Sequence, residues 1–209
     1  MFENAEIQII KKIKKARRGT LFFNESFLAI GQADAIRKAL ERLVKSGEIQ
    51  RVAFGIYVRP EIDPVIGKVS PGIDTIVTAI AKRDKARIVP TGIYALNRLG
   101  LSTQVPMNVV YLTDGAPRKI QIAGRRVTLK KTTPKNVAAV GEISRLVIQA
   151  LREIGKDKIT QQEIEYLQQL LRKEKPTRLE HDFHLAPAWI REIMRPVLKE
   201  TKMSNCNAK

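Results

Sequence analysis

Apolar residues recur at helical spacing from the start of the chain: Ala5, Ile9, Ile13 and Ala16, with Ile10 beside them, predict a helix over residues 3–18. Gly19 stops it. Thr20–Phe23 reads as a short extended piece, and Asn24 as the N-cap of a short helix to Ala29 that carries Phe27 and Leu28. After a turn at Gly31, Ile36, Ala39, Leu40, Leu43 and Val44 fall on one face of a helix from about Ala33 to Ser46. Asp34, Arg37, Lys38, Glu41, Arg42 and Lys45 fall on the other, and Gly47 supplies a left-handed stop. Ile49, Val52, Phe54, Ile56 and Val58 then alternate as two short strands of a basic hairpin, Glu48–Arg59, with its tip at Ala53–Gly55.

Helix, turn, helix and hairpin over residues 19–60 is the order of a winged helix-turn-helix. In that motif the second helix enters the DNA major groove and the wing touches the backbone or the minor groove. Pro60, Pro64, Gly67, Pro71 and Gly72 punctuate the stretch after the hairpin, which predicts a linker between domains. Ser70-Pro71 opens a further helix to about Arg83. Arg87–Val89 is a short strand, Thr91–Leu99 a helix and Val109–Thr113 an apolar strand. Lys119–Ile122 and Arg126–Lys130 alternate across Ala123-Gly124 as a hairpin. Helices close the chain: Glu142–Ile154, a second from a Thr160/Glu163 capping box to about Lys173, and Pro187–Met194, which Pro196 disrupts or ends. Thr177 with Glu180 repeats the box spacing with less apolar follow-through.

The predicted fold is therefore α+β. A winged helix-turn-helix at residues 1–60 precedes an α+β domain at 72–195 with a small antiparallel sheet and terminal helices, and 196–209 forms a flexible tail.

Charge sharpens this picture. The formal net charge is +17 with a pI of about 10.2, which favours phosphate-rich partners, an anionic surface or an acidic protein. Residues 1–60 hold 12 Lys/Arg against 6 Asp/Glu, residues 61–150 hold 14 against 6, and residues 151–209 hold 12 against 9, so the first two-thirds carry the excess. The cations from Lys11 to Arg18 suit a helix C-terminus as well as a phosphate backbone. A single cysteine, Cys206, excludes an internal disulfide framework and a cysteine-based zinc cluster, and fits a reducing cytoplasm. No signal-peptide pattern and no run of 18 apolar residues is present, so neither export nor a membrane span is expected.

The residues best suited to read DNA are on the second helix and the hairpin. Gln32, Arg37, Lys38 and Arg42 lie on the polar side of the helix or at its start, where Arg forks onto guanine and Gln onto adenine. Arg51 and Arg59 flank the wing as phosphate contacts. Asp34 either caps the helix or pairs with Lys38. On the later hairpin, Arg125, Arg126, Lys130 and Lys131 are equally readable as phosphate or partner contacts and as solvated strand charges. Thr91 reads as a plain N-cap rather than part of an anion nest.

Catalytic patterns are missing. There is no G-x-S-x-G elbow, no P-loop and no G-x-G-x-x-G. Asp114-Gly115 is a lone carboxylate in a turn, where a nucleotidyltransferase needs several. His181 and His184 are poorly spaced for joint coordination on a helix. No catalytic residue, metal or cofactor is expected.

The segments DAIRKALERLVKSGEIQRVAFGIYVRP, VPTGIYALNRLGLSTQVPMNVVYLTDG and LAPAWIREIM resemble the AbiEi-like antitoxins of bacterial abortive-infection AbiE toxin–antitoxin systems. The likeness runs from about residue 5 to 195, and its more specific part lies between Pro90 and Gly115. It implies an N-terminal winged helix that binds operator repeats and represses its own operon. It also implies a C-terminal domain that neutralises a nucleotidyltransferase-like toxin without a stable complex. Gln32, Arg37 and Lys38 would then be DNA contacts, although a small capping residue is common in the family where Gln32 stands. A stand-alone winged-helix regulator, whose C-terminal domain binds a partner or ligand, is the alternative.

Overall fold

The computed structural model describes residues 5–206; the expected start of the first helix at residue 3 and the last residues of the tail, 207–209, lie outside the described residues. The protein is α+β and divides into two compact units, one of residues up to Ile80 with 120–125, the other of 81–119 with 126–209.

In the first unit, α1 (Ala5–Lys15) packs on α2 (Ala33–Lys45). Between them lie β1 (Leu21–Phe23) and a 3-10 turn, Asn24–Phe27. The hairpin β2 (Gln50–Ala53) and β3 (Ile56–Val58) completes an antiparallel sheet in which β3 is central, with Phe22 opposite Tyr57 and Arg51 opposite Tyr57 on the other side. The apolar periodicity has the expected consequence. Ile9 and Ile13 meet Ile36, Ala39, Leu40 and Leu43 in one core with Phe22, Phe27, Ile49 and Tyr57. Each of the Ile, Leu and Phe side chains contributes about 1.5–3 kcal/mol by leaving water. Phe22 and Phe27 stack with centroids 5.7 Å apart.

Asn24 does not cap. Phe23 occupies the N-cap position, its N–H donates to Ser26 Oγ at 3.1 Å, and Asn24 Oδ1 is buried without a hydrogen-bond partner. Residues 61–69, expected to be a linker, form an antiparallel hairpin of β4 (Glu61–Asp63) and β5 (Gly67–Val69). Its turn is tied by Asp63 Oδ1, which accepts from the N–H groups of Val65 at 2.8 Å and Ile66 at 3.0 Å. The Ile66 and then the Val65 bond hold this carboxyl below its ordinary pKa. An Asp that binds the backbone two residues on makes a turn rather than a loose connection, so the punctuation that suggested a linker was turn chemistry.

Next, α3 (Ile73–Arg83) buries Ile76, Val77 and Ile80. In the second unit, β6 (Ile88–Pro90) leads to α4 (Ile93–Arg98). This helix starts two residues later than expected: Gly92, at φ 64°, holds the N-cap position, and the Thr91 N–H donates to Val110 O at 3.0 Å. β7 (Asn108–Thr113), β8 (Arg118–Ile122) and β9 (Arg125–Lys131) complete a sheet of order β6–β7–β9–β8. An antiparallel sheet was expected, but the sheet is mixed: β7 and β9 run parallel, Asn108 opposite Arg126 through Thr113 opposite Lys131. The predicted hairpin places β8 beside β9, and β7 takes the free edge of β9. Local alternation fixes the hairpin and says nothing about that longer-range choice.

A helical layer of α5 (Ser144–Ile154), α6 (Gln161–Leu171), α7 (Pro176–Leu185) and α8 (Ala188–Cys206) closes around Val147, Leu151, Leu167, Leu171, Leu179, Ile190, Met194 and Val197. The capping box of α6 forms: Thr160 Oγ1 accepts from the Glu163 N–H at 3.2 Å, and Glu163 Oε2 accepts from the Thr160 N–H at 2.8 Å. Pro196 does not end the last helix, which continues through it to Cys206 in place of the expected flexible tail; the Cys206 side chain is outside the described residues. Proline weakens the hydrogen-bond ladder in the preceding turn. There the Gln168 amide of α6 donates to Ile193 O at 2.9 Å, and Met194 and Val197 on either side of the proline are fully buried. No helix among the described residues is long and apolar enough to cross a membrane.

Candidate nucleic-acid interface

The buried face of α2 fixes what its other face offers. With Ile36, Ala39, Leu40 and Leu43 inward, Gln32, Asp34, Arg37, Lys38, Glu41 and Arg42 are exposed. Gln32 sits at the N-cap in an extended conformation and makes no side-chain cap. Arg37 Nη2 donates to Asp34 Oδ1 at 3.3 Å, so Asp34 pairs with Arg37 rather than with Lys38. Both groups are open to water, and such a pair is worth well under about 1 kcal/mol, leaving Arg37 easy to recruit. A shallow cleft of about 320 Å³ runs beside this first turn, lined by Asn24, Leu28, Ala33, Asp34, Ile36 and Arg37.

Two of the sequence candidates are bonded to α1. Arg42 Nε donates to Glu6 Oε2 at 2.5 Å, and Arg59 Nη1 donates to Lys14 O at 3.1 Å in the last turn of α1. Their guanidinium groups are engaged with α1. Neighbouring cations are used similarly: Lys12 Nζ donates to Ser26 O at 2.5 Å, Arg18 Nη1 to Pro60 O at 3.0 Å, and Lys14 pairs with Glu48 at 3.4 Å. Arg51 is exposed beside the hairpin tip, its guanidinium 5.0 Å from the centroid of the Phe54 ring. Burial raises the pKa of the Tyr57 hydroxyl, while the positive charge of Arg51 across the strand pulls it the other way.

The second unit carries its own basic surface. On β9, Val127 and Leu129 are buried and Arg126 and Lys130 are exposed, as the period of two predicts. Lys130 and Lys131 join Arg118, Lys119 and Thr128 around a groove of about 340 Å³ with no carboxylate in its lining. Arg118 Nη2 is also bonded to Asp84 Oδ2 at 2.5 Å. Arg125, half-buried, and Arg126 do not line this groove. Arg118 and Lys119 escaped sequence reasoning, although counting back from the Ala123-Gly124 turn places them beside the end of β9. A second cleft of about 400 Å³ lies among Thr91, Gly92, Tyr94, Asn108, Lys130 and Glu153. Asp114 ties the strand ends together, accepting from the Arg87 N–H at 2.7 Å and from Arg87 Nε at 2.8 Å. Desolvation works to raise its pKa, but these bonds and the Arg87 charge prevail and lower it.

The most buried polar cluster has a structural geometry. Asp182 is fully buried and accepts from the N–H groups of Val140 and Gly141, both at 2.8 Å, and from Ser144 Oγ at 2.5 Å. Its other partner is His181 Nδ1 at 2.8 Å. Glu174 accepts from the Ile143 N–H at 2.7 Å and the Ser144 N–H at 3.3 Å. Ser144 and His181 both address the carboxylate and not each other, so His181 is not placed to activate Ser144. His184 packs edge-on against Phe183, with ring centroids 5.5 Å apart. Among the described residues no group of three or more His, Cys, Asp or Glu is placed to hold a metal.

These features define a strongly basic α+β chain with exposed cations on each of its two units. A family model matches residues 8–179, and the chain belongs to DUF6088, a family of unknown function. No curated protein matches it. Among solved structures it is similar to the crystal structure of the RV2827C protein from Mycobacterium tuberculosis, at 13% identity and a TM-score of 0.47, over 94% of this chain and 81% of that one.

Proposed function

We propose that the first unit is a winged helix-turn-helix that reads duplex DNA through α2 and the β2–β3 hairpin. In this reading the chain is a non-enzymatic cytoplasmic repressor of the antitoxin type. It silences its own operon and counters a nucleotidyltransferase-like toxin without a stable complex, as the likeness to AbiEi-like antitoxins implies. The observation that carries the DNA-binding part is the division of α2: its apolar face is fully engaged in the core, and Gln32, Arg37 and Lys38 stand exposed on the opposite side. Bidentate Arg and Gln contacts to base edges need that freedom.

The test is fluorescence anisotropy of the full chain with a labelled fragment from upstream of its own coding sequence, across a salt series. Affinity is expected to fall linearly on a log–log plot as phosphate contacts release counterions. Arg37→Ala with Lys38→Ala is expected to weaken binding at least tenfold, on the order of 1–3 kcal/mol for a base contact. Salt-independent binding, or equal binding by the double variant, overturns the assignment of α2. The cleft holding Lys130 and Glu153 in the second unit favours a second reading, a stand-alone regulator with a ligand-binding domain. A growth assay with the product of the neighbouring open reading frame separates the two: toxicity of that product, relieved by this chain, supports the antitoxin.

A further inference from the structure

Phe54 is 87% exposed at the tip of the β2–β3 hairpin, while its neighbours Ala53 and Ile56 are buried. The ring therefore contributes nothing to the core, and a single exposed aromatic would not by itself call for an explanation. Two further observations give it one. Arg51 lies over the ring at 5.0 Å, which restrains the ring and sets a cation beside it. The tip is also held against the end of the unit that presents α2. Gly55 O accepts from the Asn24 N–H at 3.3 Å, and Asn24 lines the cleft at the first turn of α2 together with Asp34 and Arg37.

We infer that Phe54 is an apolar wedge: the hairpin tip enters the minor groove of the duplex that α2 reads, and the Phe54 ring inserts at a base step and bends the DNA. The inference rests on the DNA-reading role proposed above. Only two residues, Phe54 and Gly55, separate the strands, and Gly55 adopts φ 69°, a conformation costly for any other residue, so the turn is tight and Phe54 is its one large side chain. Minor-groove proteins use this combination, with an apolar side chain partly unstacking a step and arginine drawn to the negative potential of the groove. The charge of Arg51 suits DNA as the occupant better than an apolar protein surface.

The experiment uses the full chain and the duplex it selects from a random-sequence pool, with donor and acceptor dyes at the duplex ends and 2-aminopurine at the flexible steps. The intact chain is expected to shorten the end-to-end distance and brighten 2-aminopurine at one step. Phe54→Ala is expected to bind about tenfold or more weakly, from the lost burial of the ring, and at saturation to leave the duplex straight and the probe dark. Phe54→Leu is expected to keep most of the bend. Arg37→Ala is expected to lower affinity yet keep the bend at saturation, which separates groove reading from wedging. A normal bend with Phe54→Ala overturns the inference and leaves the DNA-binding reading standing. So does unchanged DNA binding combined with a shift in sedimentation, which would make Phe54 a contact between copies. Selection of no duplex overturns both readings together.

Discussion

Both units pair cations with acids, but they differ in the charged groups they bury and in the grooves they leave to cations. In the first, many cations are structural: Lys12, Arg18 and Arg59 donate to backbone carbonyls, and Arg42 and Lys14 pair with acids. In the second, the buried charged groups are acids, Asp182 and Glu174, held by backbone N–H groups, while Lys119, Lys130 and Lys131 line an acid-free groove. A count of basic residues is thus a poor guide to a binding surface. A cation that donates to a carbonyl or pairs with an acid is engaged even where it is exposed, as Lys12 and Arg42 are, and Arg37, Lys38 and Lys130 are the exposed cations proposed for a ligand.

The sharpest way to probe the contrast is to break the second unit's acid cluster. A Cβ on Gly141 would meet Ser144 Oγ and Glu174 Oε2, the latter at 2.6 Å. Gly141→Ala and Asp182→Ala are each expected to lower the unfolding free energy read from urea titration by roughly 3 kcal/mol or more, because buried donors lose their acceptor or the cluster is forced apart. A loss below about 1 kcal/mol would mean the cluster is not the anchor described. Next in size, the Arg37/Lys38 double variant is expected to weaken the proposed duplex binding tenfold or more with an unchanged melting curve, since neither side chain enters the core.

A smaller effect on DNA separates the two surfaces. Lys119→Glu with Lys130→Glu is expected to change duplex affinity by no more than about fivefold, through long-range charge alone at moderate salt, yet to abolish rescue in the growth assay. Loss of DNA binding as large as that of the α2 variant would merge the two surfaces into one. The smallest expected change concerns Arg42→Lys against Arg59→Lys. Each should alter DNA binding little and lower stability by about 1 kcal/mol or less, because the pairs they make are partly solvated; calorimetry on both checks this.

Asp114 adds a pH dependence. Its folded pKa is depressed, so its contribution is present above the unfolded value of about 3.9 and is lost as pH falls through the lower folded value. Asp114→Asn should therefore be less stable than the parent at neutral pH, and the gap should close in acid titrations below about pH 4. A gap that stays constant with pH would remove the Arg87 pairing as its cause.

By itself the sequence determined the elements with strong period and clear ends. The apolar faces of α1, α2 and α5, the β2–β3 and β8–β9 hairpins, and the Thr160–Glu163 box are local patterns in which neighbouring residues suffice to specify the conformation. The exposure of Arg37 and Lys38 followed from the same periodicity. What only tertiary structure decided depended on partners far along the chain. The parallel pairing of β7 with β9 and the hairpin in residues 61–69 lay beyond local patterning. So did the continuation of α8 through Pro196, which Gln168 and the buried Met194 and Val197 support. The same holds for the charges: nothing in residues 42 or 59 announces that one will meet Glu6 and the other Lys14 O. Periodicity says which side of an element faces water, whereas the partner waiting there is set by how distant segments pack.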